Sequence, residues 1–136
     1  MLPYPEVITL EAYWKHRDVT FPNELTDTIK INAVELLRRV NNLLYALHIA
    51  NVTVSSGWRP KEINDMYGGA LKSYHITGQA IDIADHDKRL ARELEDRAWL
   101  LKEHDLWMED PKATSTWVHL DTGIRPERDV RIFKPR

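Results

Sequence analysis

Two short segments of this sequence carry side chains that bind metal ions when they are brought together. Residues 73–82 read SYHITGQAID and contain His75 and Asp82, and residues 117–121 read WVHLD and contain His119. Two imidazoles and one carboxylate are a common ligand set for catalytic zinc, because they leave a fourth position open for water. A fold that uses this set has to place the two segments side by side.

Length and composition predict a single folded domain over residues 1–136. The chain is 43% hydrophobic and 29% charged, which is typical of a globular protein and not of a disordered one. A net charge of -2, with no basic stripe among aromatic residues, argues against a nucleic-acid partner. Because the chain has no cysteine, any metal must be held by His, Asp, Glu and water.

The sequence indicates neither a membrane span nor a secretion signal. No apolar run approaches the roughly 18 residues that a membrane helix needs. The first residues, MLPYPE, lack the basic and apolar regions of a signal peptide. We therefore expect synthesis in the cytoplasm and no membrane partner. We also expect a monomeric protein.

Hydrophobic periodicity, capping residues and turn signals divide the chain into helices and strands. The predicted helices cover residues 10–17, a leucine-striped segment from Thr26 or Asp27 to about His48, residues 60–67, and a segment that follows a cap at Asp85 or Asp87 and includes Leu101. The predicted strands cover residues 52–55, 79–84, 106–109, 116–120 and, within a tail that is mostly loop, 130–133. This order predicts an α+β fold: a small, mainly antiparallel sheet with flanking helices and the zinc site on the sheet.

The pattern S-x-H-x-x-G-x-A-x-D, followed downstream by W-x-H-x-D, resembles bacterial cell-wall peptidases. These are the zinc D-alanyl-D-alanine carboxypeptidases and VanY-type endolysin peptidases, in a wider group with lysostaphin-type enzymes and the hedgehog signalling domain. The SGWR segment at residues 56–59 is similar to the S-G-[YW]-R segment of that family, and the resemblance runs from about Val52 to Asp121. The N-terminal stretch, which ends in the long helix, and the LWMEDP segment at residues 106–111 look like small phage-encoded members.

The resemblance implies a zinc site of His75, Asp82 and His119, and cleavage next to D-alanine or a diamino acid in peptidoglycan stem peptides. Arg59 resembles the family arginine that contacts the substrate carbonyl or carboxylate. The alternative for Arg59 is a structural ion pair with a nearby carboxylate. Ser73 either binds substrate or caps its loop.

Tryptophans near the predicted site have two interpretations. Trp58, Trp107 and Trp117 either line a substrate cleft or pack in the core. Trp117 is the one that we assign to substrate binding.

The general base is the point at which the sequence departs from the family pattern. Members commonly carry Glu or Asp three residues before the last histidine, where this chain has Thr116. A hairpin of the strands at 106–109 and 116–120 places Glu109 opposite residues 117–119, within reach of an attacking water. We therefore predict Glu109 as the base, against the alternative of an exposed strand-end carboxylate. Asp121 is the second candidate, as a base or as a partner that orients a ligand.

Three functions remain open on the sequence alone. The first is a zinc peptidase, a carboxypeptidase or an endopeptidase, that hydrolyses peptidoglycan peptides as a phage endolysin released through a holin or as a virion-associated lysin. The second, supported by Thr116, is a non-catalytic zinc-binding module that binds wall peptides or phage structural proteins. The third is a cytoplasmic dipeptidase for D-Ala-D-Ala, which the absence of a lid segment disfavours. Zinc is preferred to manganese or cobalt because of the mixed histidine-rich ligand set.

Overall fold

The computed structural model describes residues 6–135 and has the predicted α+β architecture. The helices are α1 Leu10–Trp14, α2 Arg17–Thr20, α3 Asp27–Ala46, α4 Lys61–Met66, α5 Arg89–Asp96 and α6 Trp99–Glu103. The strands are β1 Val54–Ser56, β2 Ala80–Ala84, β3 Trp107–Glu109, β4 Trp117–Asp121 and β5 Ile132–Phe133, with a 3-10 helix at Pro111–Ala113 between β3 and β4. No helix among these residues is long and apolar enough to cross a membrane.

The five strands form one sheet in the order β1-β2-β4-β3-β5. All neighbours pair antiparallel except β5, which runs parallel to β3, so the predicted mainly antiparallel sheet is confirmed. In the β2–β4 pair, Asp82 lies directly opposite His119. In the β3–β4 pair, Trp107 lies opposite Asp121 and Met108 lies opposite Leu120.

The long helix α3 begins and packs for the reasons that its sequence indicates. Thr26 caps it, because its side chain accepts a hydrogen bond from the Ile29 amide. Its buried stripe consists of Ala33, Leu36, Leu37, Val40, Leu43 and Leu44. This stripe shares one core cluster with Ile81 and Ile83 of β2. Because side chains alternate along a strand, Asp82 projects to the opposite face, where the candidate site lies.

The predicted helix at residues 10–17 is in fact two short helices. Lys15 and His16 have φ angles of 52° and 68°, in the left-handed region, so α1 ends before α2 begins. Tertiary contacts hold this break: the Tyr13 hydroxyl donates to the Ala80 carbonyl at 2.9 Å, and Trp14 packs edge-on against Trp58. Periodicity alone does not show such a reversal.

The remaining boundaries differ from expectation by at most two residues, except in the helix after β2. That helix divides into α5 and α6 around Arg97, and both proposed caps contribute to its start. Asp85 accepts from the amides of Leu90 and Ala91 at 2.9 Å each, and Asp87 accepts from the Arg89 amide at 3.1 Å.

Candidate metal centre

The three predicted ligands come together on the sheet. His75 lies in the loop before β2, Asp82 in the middle of β2 and His119 in the middle of β4. One potential ligand atom from each residue lies within 4.8 Å of the others. The β2–β4 register places two of the three ligands side by side, and the short loop before β2 returns the third.

The position of His75 is set by a backbone carbonyl. Its Nδ1 lies 2.9 Å from the Gly57 carbonyl oxygen, which can only accept, so Nδ1 carries the proton. Its Nε2 faces Asp82 Oδ2 at 3.3 Å and is the atom available to a metal. Burial lowers the pKa of His75, although Asp82 opposes this, so the neutral form that metal ligation requires is favoured.

His119 is held between two carboxylates. Its Nε2 lies 2.7 Å from Asp121 Oδ2, and its Nδ1 lies 2.9 Å from Asp82 Oδ1. Burial alone lowers the pKa of His119, but the hydrogen bonds to Asp121 and Asp82 outweigh it and raise this pKa to about 9. Cation binding at this site therefore requires loss of the Nδ1 proton, while Asp121 continues to hold Nε2.

Asp82 is the shared acceptor of the cluster. Burial raises the pKa of Asp82, but the hydrogen bonds from His119 and His75 outweigh it and hold this pKa well below its usual range. The carboxylate is therefore ionised and buried among donors. Two imidazole nitrogens and one carboxylate oxygen fit zinc in number and chemical type.

A comparison with protein-family models matches residues 10–121 to Peptidase M15. The chain belongs to the Peptidase M15 family. Together with the His75–Asp82–His119 cluster, this membership makes the chain a zinc-type metallopeptidase by family, for which the substrate is a peptide. A search of curated proteins finds no match.

In this M15 peptidase, the Arg59 guanidinium contacts one of the three candidate metal ligands. Its Nη2 donates to Asp82 Oδ2 at 3.2 Å, and its Nε donates to Ser56 Oγ at 2.8 Å. The guanidinium carbon also lies 5.3 Å from the centroid of the Tyr67 ring. The ion pair that is the alternative interpretation of Arg59 is present, and its partner is the candidate ligand Asp82.

Glu109 lies at the end of β3 and is half-buried. Burial raises its pKa, His119 lowers it, and the negative charges of Asp82 and Asp121 raise it further. Glu109 therefore lies within electrostatic range of the charged residues of the candidate site. Thr116, by contrast, is exposed just before β4, and its carbonyl accepts from the Asp85 amide at 2.8 Å.

Asp121 is fully buried, with 0% of its surface exposed. It accepts hydrogen bonds from His119, from the Gly123 amide at 3.0 Å and from Arg125 at 2.6 and 3.1 Å. The hydrogen bonds from His119 and Arg125 outweigh burial and lower its pKa. Of the two roles predicted for Asp121, this environment favours the one in which it orients a ligand.

Ser73 and Trp58 have hydrogen-bond partners within the protein. Ser73 Oγ accepts from the His75 amide at 3.1 Å, as expected of a loop cap. Trp58 is buried and donates to the Ile76 carbonyl at 3.0 Å, and Trp107 is also buried, so both pack inside the protein. Trp117 is half-buried in β4.

Sequence reasoning missed Arg125 and Phe133, which lie in the tail. Phe133 packs edge-on against His119, with 5.9 Å between ring centroids. The spacing of Asp121 and Arg125 by four residues was the only available signal, and it has meaning within a helix, which this tail is not.

Proposed function

We propose that this M15 peptidase hydrolyses peptide bonds in bacterial peptidoglycan stem peptides or cross-links, with zinc held by His75, Asp82 and His119. The observation that carries the proposal is the convergence of His75 Nε2 and His119 Nδ1 on the Asp82 carboxylate. Cleavage next to D-alanine or a diamino acid, as a carboxypeptidase or an endopeptidase, is the specificity that the family resemblance supports. The place of action that we propose is the cell wall, reached by release through a holin or on a virion.

Glu109 is the residue that we assign as general base. Zinc bound at the cluster would supply a Lewis acid that polarises the scissile carbonyl. Glu109 would take the proton of the attacking water and pass it to the leaving amine. Burial raises the pKa of Glu109, which makes its carboxylate a better proton acceptor.

Arg59 is the residue that we assign to substrate binding and charge stabilisation. Only 13% of its side chain is exposed, and one nitrogen already contacts Asp82. A fixed guanidinium next to the metal cluster is suited to donate hydrogen bonds to a substrate carbonyl or terminal carboxylate. Ser73 and Trp117 are further substrate contacts in this proposal.

Digestion of purified muropeptides, with zinc and with a chelator, tests the proposed activity. We expect new peptide ends with the zinc-loaded protein and none after chelation, with activity restored by zinc. Cleavage that a chelator leaves unchanged, or no cleavage by zinc-loaded protein, would contradict the proposal.

Substitution of Glu109 tests the assigned base. We expect Glu109→Gln to bind zinc as the wild type does and to lose turnover by about 100-fold or more, because the amide cannot accept the proton. The control is Glu95→Gln, a matched change at an exposed position of α5. Near-wild-type turnover of Glu109→Gln would show that the base lies elsewhere.

Thr116 supports a second candidate function, a non-catalytic module that binds wall peptides or phage structural proteins. Its side chain cannot take a proton from water, and it occupies the position at which relatives commonly carry the base. Binding of muropeptides by zinc-loaded protein without any turnover would favour this function over hydrolysis.

A further inference from the structure

We propose that Arg125, in the tail beyond the segment that matches the family, positions His119 as a metal ligand by holding Asp121. The proposal rests on the role of His119 as a ligand in the proposed function, but it does not depend on catalysis. Arg125 is a positioning residue here, since it acts through Asp121 and not on the substrate.

The contact between Arg125 and Asp121 is a bidentate ion pair. Nη1 donates to Oδ1 at 2.6 Å, and Nη2 donates to Oδ2 at 3.1 Å. Asp121 has no exposed surface. A buried carboxylate needs a charged partner, and the parallel arrangement of the two bonds fixes the plane of the carboxylate as well as its charge.

The same carboxylate fixes the ring of His119. Asp121 Oδ2 accepts from both Arg125 Nη2 and His119 Nε2, the latter at 2.7 Å. With Nε2 engaged, only Nδ1 is left to face Asp82 and a metal. An outer hydrogen bond of this kind selects the tautomer and orientation of a ligating histidine.

Aromatic rings hold the Arg125 guanidinium in place. Its central carbon lies 3.7 Å from the ring centroid of Phe133, 5.5 Å from that of Tyr74 and 5.6 Å from that of Trp107. Phe133 also contacts His119 directly. The tail therefore supplies both a charged and an aromatic support for one ligand.

The position of the tail is itself fixed by the sheet. Phe133 lies in β5, which pairs with β3, and its carbonyl accepts from the Asp110 amide at 2.7 Å. At the other end of the tail, the Ile124 amide donates to the Tyr74 hydroxyl at 3.2 Å. Arg125 is thus held between two anchored points.

Zinc affinity of Arg125→Gln is the first test. Without Arg125, nothing fixes the plane of the Asp121 carboxylate, so His119 loses its orientation as a ligand. We expect zinc affinity, measured by competition with a chromophoric chelator, to fall by about 10- to 100-fold. The matched control is Arg128→Gln, which removes the same charge from the same tail. In the wild type, Arg128 Nη1 donates to the Ile132 carbonyl at 3.3 Å.

A double-mutant cycle tests whether Arg125 acts through Asp121. We expect Asp121→Asn to weaken zinc binding, and Arg125→Gln to have no further effect in the Asp121→Asn background. The absorption spectrum of cobalt bound in place of zinc should change in both single variants, because the ligand orientation changes. Arg125→Lys, which keeps the charge but not the bidentate geometry, should restore part of the affinity.

Several outcomes would overturn the proposal. Wild-type or tighter zinc affinity in Arg125→Gln would do so, as would losses that simply add in the double variant. If Arg125→Gln does not fold, Arg125→Lys and Asp121→Asn still carry the test. Absence of muropeptide cleavage by the wild type would count against the proposed function only, since the affinities remain measurable.

Discussion

The charge on one histidine links the candidate site to the stability of the fold. His119 lies between Asp82 and Asp121, and in the absence of metal these carboxylates raise its pKa to about 9. An unfolded chain has no such neighbours, so the same imidazole titrates near its ordinary value of about 6.5. The difference stabilises the folded, protonated form.

Metal-free protein should therefore lose stability as the pH rises. Because the folded-state pKa is raised, the contribution of His119 is fully present below about pH 6.5 and is lost as the pH passes through about 9. We expect the free energy of unfolding to fall by roughly 3 kcal/mol over this range, measured by thermal or urea unfolding with a chelator present. His119→Gln should flatten the dependence above neutral pH, and an equally steep slope in that variant would contradict the assignment.

At the scale of elements, Gly57, which follows β1, contributes both to helix–strand packing and to the candidate site. A Cβ built on Gly57 would lie 1.9 Å from the Tyr13 carbonyl oxygen of α1, far inside contact distance. The Gly57 carbonyl also accepts from His75 Nδ1. The close approach of α1 to β1 thus requires glycine at the residue that orients a ligand.

Gly57→Ala should reduce both stability and metal affinity. We expect a loss of about 1–3 kcal/mol in the free energy of unfolding, because the backbone of α1 or β1 has to shift. Zinc affinity should fall as well, since the shift moves the carbonyl that holds His75. Gly68→Ala is the control: it has a φ of 66° but no neighbour within 4 Å, so it should lose stability alone. Unchanged zinc affinity in Gly57→Ala would contradict this account.

At the scale of the whole molecule, the candidate metal ligands come from parts of the chain that are distant in sequence. His75 comes from a loop, Asp82 from β2 and His119 from β4, so the cluster exists only when the sheet has formed. A ligand that binds only the folded state stabilises it in proportion to the logarithm of its concentration above Kd.

Zinc should therefore raise the unfolding temperature, reversibly and in a concentration-dependent way. At a free zinc concentration of 1,000 times Kd we expect about 4 kcal/mol of stabilisation. The measurement is thermal unfolding at several zinc concentrations. His75→Ala should remove the effect. His86→Ala, a change at an exposed histidine after β2, should keep it. An undiminished shift in His75→Ala would exclude the cluster as the zinc site.

Local patterns predicted the elements whose reasons are local. The leucine stripe and Thr26 cap of α3, and the apolar strand around Asp82, show the period and capping chemistry that produce them. The break between α1 and α2 was not predictable, because it depends on Tyr13 reaching Ala80, a residue far along the chain.

The sequence by itself determined the type of fold and the three residues of the candidate metal cluster, since these follow from periodicity and from a recognisable spacing of ligand side chains. Only the tertiary structure decided which groups surround them: Arg59 on Asp82, and Arg125 holding a buried Asp121 against His119. The physical reason is that burial and charge pairing depend on non-local neighbours, which no local pattern encodes.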